Sequence, residues 1–196
     1  MTALVLASGS SIRAQLLRVA GVPFSVHPAK IDEDALKNQM PGAGGQLAAE
    51  KLAELKAFAI SKQYPQDLVL GADQVLEMDG EVFSKAKTLD AAAVQLRHLR
   101  GKKHQLIGAL VLAKGSSALW RHTEISTLWV RDFSEAFLQD YLKTEGDAIL
   151  GSVGCYRYEG PGAQLFERVE GDYFSVLGLS LLPLLAALRD QGVLAR

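Results

Sequence analysis

The sequence predicts a mixed α/β fold in which a twisted, partly antiparallel sheet is flanked by helices. Short apolar runs alternate with stretches whose apolar residues recur at helical spacing, as in α/β proteins. Two long strand-type runs, His104–Lys114 and Leu119–Arg131, are neighbours in the middle of the chain, and Asp79-Gly80 is a strong hairpin dipeptide. Both features require antiparallel pairing, so the sheet is mixed rather than purely parallel.

Taken in order, Leu4–Ala7 is a buried strand broken by Gly9. Ser10 then caps a helix to Ala20, with Leu16, Leu17 and Ala20 inward and Gly21 closing it. Phe24–His27 reads as a second strand, and Ile31–Gly45, polar and glycine-rich, as a loop or short helix. Gln46–Lys62 is a long amphipathic helix on the stripe Ala48, Leu52, Leu55 and Ala59, with Leu47 to one side. Asp67–Leu76 is a buried strand, followed by the hairpin Glu77–Phe83. Thr88 and Ser134 cap helices that run to Arg100 and Lys143, stopped by Gly101 and Gly146. Asp147–Gly162 is irregular and Leu165–Val169 is a strand. Ser180 caps the last helix, whose first turn tolerates Pro183.

The 196 residues suit one domain across 1–196, or one sheet with two lobes. A net charge of −1 gives no basic bias, which disfavours a duplex nucleic acid as the main ligand but admits a small phosphorylated one. A single cysteine, Cys155, excludes an internal disulfide and fits a reducing, cytoplasmic setting. The start of the chain lacks the basic n-region of a signal peptide. The apolar run Phe174–Leu188 is too short to span a bilayer and is interrupted by Gly178, Ser180 and Pro183, so no membrane partner is expected.

Five segments carry residues suited to chemistry. Leu4–Arg13 is a strand, loop and helix start whose free backbone amides favour phosphate, with Ser8 and Ser10 as hydroxyl donors and Arg13 as a forked cation; an ordinary capped helix has the same pattern. Asp73 stands where its strand is expected to end, with Gly71-Ala72 clearing space beside it, so its carboxylate can hold a metal or orient water; a turn Asp or a buried ion pair is the plain alternative. Asp32-Glu33-Asp34 suits a hard cation or is simply a solvated acidic loop. Lys56 and Lys85 can neutralise phosphate, although a lone lysine is usually a surface residue. Between Gly151 and Gly178 six glycines either wrap a ligand or form a tight connection, with Glu159 among them able to accept hydrogen bonds from a base edge. No histidine pair has metal spacing, and Cys155 has no evident base.

In order and spacing these segments resemble the Maf family of nucleotide pyrophosphatases. The resemblance runs from Leu4 to about Arg189. It is carried by Leu6-Ala7-Ser8-Gly9-Ser10, Asp32-Glu33, Leu52–Ala57, Gly71-Ala72-Asp73, Phe83-Ser84-Lys85 and Gly171–Leu179. It implies a fold like that of inosine triphosphate pyrophosphatases, with two lobes around a cleft. It also implies hydrolysis of a nucleoside triphosphate to monophosphate and pyrophosphate with Mg²⁺ or Mn²⁺, the clearing of modified nucleotides, and a homodimer. On this resemblance Asp73 is the catalytic base or a metal ligand with Glu33, while Ser8, Ser10, Arg13, Lys56 and Lys85 bind the triphosphate.

Within the family the chain is similar to the 7-methyl-GTP subgroup rather than the dTTP/UTP subgroup. Gln74 replaces a Thr of the pyrimidine group, Glu159 replaces its Gln, and Phe166-Glu167-Arg168 also fits. A carboxylate suits the N–H edge and the positive charge of N7-methylguanine. The chain departs from the family at Ser11-Ile12-Arg13-Ala14, where one arginine is lost and Ile12 stands in place of a Trp, removing a flat stacking surface. Ala86 and Ser180 replace two prolines. The competing expectation is a non-enzymatic nucleotide-binding regulator of septum formation, which would bind nucleotide without releasing pyrophosphate.

Overall fold

The computed structural model describes residues 3–33 and 44–195. Most of the expected Ile31–Gly45 loop or short helix, Asp34 included, lies outside the described residues. In chain order the strands are β1 (Leu4–Leu6), β2 (Phe24–Val26), β3 (Leu68–Met78), β4 (Glu81–Phe83), β5 (Lys103–Lys114), β6 (Ser117–Val130) and β7 (Phe166–Glu170). The α-helices are α1 (Ser11–Val19), α2 (Gly44–Ser61), α3 (Leu89–Leu99), α4 (Glu135–Glu145), α5 (Tyr173–Val176) and α6 (Leu181–Asp190). Two 3-10 turns, Gly146–Gly151 and Pro161–Leu165, occupy the segment expected to be irregular. No described helix is long and apolar enough to cross a membrane.

The sheet runs β2-β1-β3-β5-β6-β7, with β4 also on β3. β2, β1 and β3 are parallel, and every other pairing is antiparallel, as the sequence predicts for a mixed sheet. The hairpin falls at Asp79-Gly80, where both residues have positive φ, the conformation that Asp-Gly tolerates best. Thr88 and Ser134 cap α3 and α4 by accepting from Ala91 N (3.1 Å) and Phe137 N (3.2 Å). Ser180 does not do the same. It stands at the N-cap position of α6 but makes no side-chain cap bond, because its hydroxyl is turned to Ser175 Oγ, 3.0 Å away.

Period-two alternation sorts the strands onto two faces. Leu68, Leu70 and Ala72 of β3 and Leu110 and Leu112 of β5 form one core with α1 and α6. Farther along the same face, Leu76 and Met78 form a second core with α3, α4 and β6. The opposite face carries Val75, Ile107, Ala109 and Val111 against the small residues Ala49, Ala53 and Ala57 of α2. Two cores therefore lie along one sheet face, the first against α1 and α6 and the second against α3 and α4.

The strand that carries Asp73 does not end there. β3 continues to Met78 because β5 pairs with it from Val69 to Glu77. What ends is the neighbour on its other edge: β1 pairs only with Leu68–Leu70, and β4 begins only at Leu76. Residues 71–75 therefore border a notch, and Asp73 sits in it at the carboxyl end of β1. Gly71 is also not a gap for ligand. A Cβ there would meet Ala53 O at 2.1 Å and Ala57 N at 2.6 Å, so the space is filled by α2.

His104 is a second buried polar feature of this core, only 2% exposed. Its Nε2 lies 2.7 Å from Tyr156 Oη, and its Nδ1 has no partner among the described residues. Burial lowers its pKa from 6.5 to about 4. The unfolded chain then takes up a proton that the folded chain refuses. Stability is complete above about pH 6.5 and falls as the pH drops toward 4, by up to about 3 kcal/mol. Thermal denaturation of His104→Gln should show a flatter slope than wild type across that window; equal slopes would assign the acid sensitivity elsewhere.

Candidate active site

The notch opens into a cavity of about 820 Å³, within the range of small-molecule sites. Its wall includes Ser8, Ser10, Ile12 and Arg13 from the β1–α1 region, Glu33, Lys56 of α2, Asp73 and Gln74 of β3, Lys85, and Glu159. These ten residues, expected at the site from the sequence, thus line one cavity.

The loop after β1 is built around Arg13. Ser10 Oγ accepts from Arg13 N at 3.4 Å, which starts α1 and points the arginine back toward the sheet. The side chain is 8% exposed. Nε donates to Gly178 O (2.8 Å), and Nη1 donates to Ser8 Oγ (3.0 Å) and Ala72 O (3.0 Å). Arg13 is therefore a fixed cation that also satisfies a carbonyl at the open edge of β3. Burial lowers its pKa, opposed by Asp73 and Glu33, yet a guanidinium stays charged.

Lys56 reaches the notch because Gly71 lets α2 lie directly on β3. Its Nζ is 2.6 Å from Asp73 Oδ1 and 2.5 Å from Glu33 Oε1. Lys56 and Asp73 are 7% and 4% exposed, so this ion pair has little water around it. Asp32 also lines the cavity. Lys85 follows β4 and keeps contact with solvent. Its pKa is lowered first by lost hydration; Glu33 opposes that, Arg13 and Lys56 add to it, and Asp73 opposes it again.

Gln74 points to the other sheet face, where Nε2 donates to Ser175 O (2.9 Å) and Val176 O (3.4 Å). Together with the Arg13–Gly178 bond, this ties two cavity residues to the segment 172–180. That segment is held in turn by Glu124 of β6, which accepts from Ser175 Oγ at 2.8 Å. Glu159 pairs with Arg157 Nε at 3.4 Å, and Arg157 Nη1 is 3.5 Å from the buried carboxylate of Glu145. Ile12 packs at the edge of the first core.

The glycine-rich segment resolves in favour of tight connection. Of its six glycines only Gly151 lines the cavity. A Cβ at Gly154 would strike the Tyr156 ring at 2.2 Å, one at Gly162 would strike Arg157 O at 2.5 Å, and one at Gly171 would strike Ser126 Oγ at 2.3 Å. Cys155 is buried, with a thiol pKa pushed up by burial to about 11, so it is not an activated nucleophile. Lys87, Arg157 and Tyr158 also line the cavity and are not evident from spacing, because each sits in a loop whose path depends on distant elements.

The carboxylates of Glu33 and Asp73 converge on one nitrogen, Lys56 Nζ. Among the described residues no group of three or more His, Cys, Asp or Glu is arranged to hold a metal ion by itself. Two carboxylates are hard oxygen donors of the kind that Mg²⁺ or Mn²⁺ takes alongside phosphate oxygens and water.

Comparison with known proteins shows the family. A "Nucleoside triphosphate pyrophosphatase" of Granulibacter bethesdensis is 51% identical over 193 residues, covering 97% of this chain and 98% of that protein. A "7-methyl-GTP pyrophosphatase" of Brucella abortus is 46% identical over 190 residues, 96% of each chain. Among solved structures, a HAM1 protein from Coxiella burnetii matches with a TM-score of 0.45 and 16% identity over 68% of this chain and 75% of that one, too distant to bear on the site. Residues 3–191 match the family described as "Maf-like protein", and with relatives this similar over nearly their whole length, the chain belongs to the Maf family.

Proposed function

We propose that this protein hydrolyses a nucleoside triphosphate to the monophosphate and pyrophosphate, with 7-methyl-GTP as the favoured substrate and the cytoplasm as its setting. The observation that carries the reading is the meeting of three cations, Arg13, Lys56 and Lys85, with two carboxylates, Glu33 and Asp73, on one cavity. A triphosphate is the ligand class that needs several fixed cations beside an acidic metal site. The pyrophosphatase names of the relatives support the same reading.

In this reading the backbone amides and hydroxyls around Ser8–Ser10 receive phosphate oxygens at the start of α1. Arg13, already locked, does not need to be ordered when substrate arrives, so it stabilises charge with little reorganisation. Lys56 and Lys85 neutralise the charge that develops on the departing pyrophosphate. Glu33 and Asp73 would hold a divalent ion, which when bound would neutralise charge at the reacting phosphate and lower the pKa of water. Asp73 orients the water or takes its proton. Glu159 faces the base, where it accepts from N–H donors and favours a positively charged ring.

A pyrophosphate-release assay with Mg²⁺ across 7-methyl-GTP, GTP, UTP, dTTP and CTP tests reaction class and preference together. Release that is fastest with 7-methyl-GTP is the expected result. Preference for UTP or dTTP would overturn the subgroup reading. Nucleotide binding without any release would favour the regulator of septum formation instead.

A further inference from the structure

We propose that Tyr158 is the stacking platform for the nucleobase and that it favours purines, above all an N7-alkylated, cationic guanine; the proposal rests on the cavity being the triphosphate site. Ile12 on the cavity wall is aliphatic and offers no flat surface, whereas a base gains affinity by stacking on an aromatic ring. Among the described residues that line it, only Tyr156 and Tyr158 are aromatic.

Tyr156 is unsuited to that task. It is 5% exposed, its hydroxyl is tied to His104 Nε2, and the Phe166 ring meets it edge-on at 4.8 Å and 82°. Tyr158 is half-buried. Its ring neighbours are Phe166 (5.8 Å, 69°) and Tyr173 (5.9 Å, 50°). The first meets it edge-on and the second at a tilt, so neither ring lies parallel to its face. Trp120 shows the contrary case: His122 stacks on it at 2°, and it lies outside the cavity wall. Tyr158 packs against both cores of the sheet face, and it lines the same cavity as Ile12.

The pairing of Tyr158 with Glu159 has a chemical consequence. An aromatic face attracts a cationic ring through its quadrupole, and a neighbouring carboxylate accepts from the N–H edge of the same ring. A purine also offers more π surface than a pyrimidine. Together these favour a cationic purine over a neutral pyrimidine without any contact from Ile12.

The test compares Tyr158→Leu and Tyr158→Phe with wild type, using 7-methyl-GTP, GTP and UTP as substrates and 7-methyl-GMP as a binding probe read by quenching of its own fluorescence. Stacking energies of this kind correspond to roughly tenfold or more in affinity. Tyr158→Leu should raise KM for 7-methyl-GTP by about that factor, raise it less for UTP, and weaken 7-methyl-GMP binding. Tyr158→Phe, which keeps the π face, should restore both. Wild-type protein should itself quench the probe, a readout that needs no variant. An equal loss on all three nucleotides, an unchanged KM in Tyr158→Leu, or no quenching by wild type would each overturn the proposal. Absence of pyrophosphate release from every nucleotide would instead remove the reaction, while the quenching titration would still decide the stacking.

Discussion

Asp73→Asn is expected to reduce turnover by about a thousandfold or more while leaving the fold in place, since a positioned base or metal ligand contributes on that scale. The substitution keeps the volume of the side chain and one oxygen that can still accept from Lys56 Nζ. Lys56 also keeps its contact with Glu33, so the buried ammonium is not left without a carboxylate. Circular dichroism should therefore match wild type, with a small change in Tm, while pyrophosphate release disappears into background. Mn²⁺ titration then separates the two roles assigned to this carboxylate. Loss of Mn²⁺ affinity together with turnover identifies a metal ligand; unchanged affinity with lost turnover identifies a base. Wild-type turnover in Asp73→Asn would take this residue out of the reaction altogether.

That the residues singled out in the sequence line one cavity was legible where they lie within a few residues of a local structural signal. Ser8, Ser10 and Arg13 flank a helix start, and Asp73 and Lys85 flank strand and hairpin patterns that short-range spacing reveals. The alternation of strand faces and the Thr88 and Ser134 caps are local in the same sense. Features that depend on distant partners were not legible. The extent of β3 past Asp73 is decided by pairing with β5, more than thirty residues later, and the notch exists because β1 stops where β4 has not yet begun. Ser180 carries a capping residue type, but its hydroxyl faces a competing network of Ser175 and Glu124 that sequence position does not reveal. Tyr158, Lys87 and Arg157 reach the cavity only because their loops are folded over it. The rule that caps follow local sequence therefore fails where another side chain, here Ser175, offers the hydroxyl an alternative.

The second large effect is expected at a residue that touches no ligand. In Gly71→Ala the added methyl would lie 2.1 Å from the Ala53 carbonyl oxygen and 2.6 Å from the Ala57 nitrogen, both on the backbone of α2. A flexible side chain can step aside from such a contact, but a helix backbone cannot move without carrying its neighbours. Overpacking of this kind costs about 3 kcal/mol, which for a chain of this size lowers Tm by roughly 10 °C. Lys56 lies on the same helix, so a helix lifted off β3 also stretches the 2.6 Å contact between Lys56 Nζ and Asp73. The variant should be less stable and, at a temperature where it is fully folded, should also turn over more slowly. Gly108→Ala on the adjacent β5 is the matched control, because a Cβ there meets only Glu124 O at 3.9 Å. If Gly71→Ala melts within a degree of Gly108→Ala and keeps wild-type turnover, close contact between α2 and β3 is not what brings the cation to the aspartate.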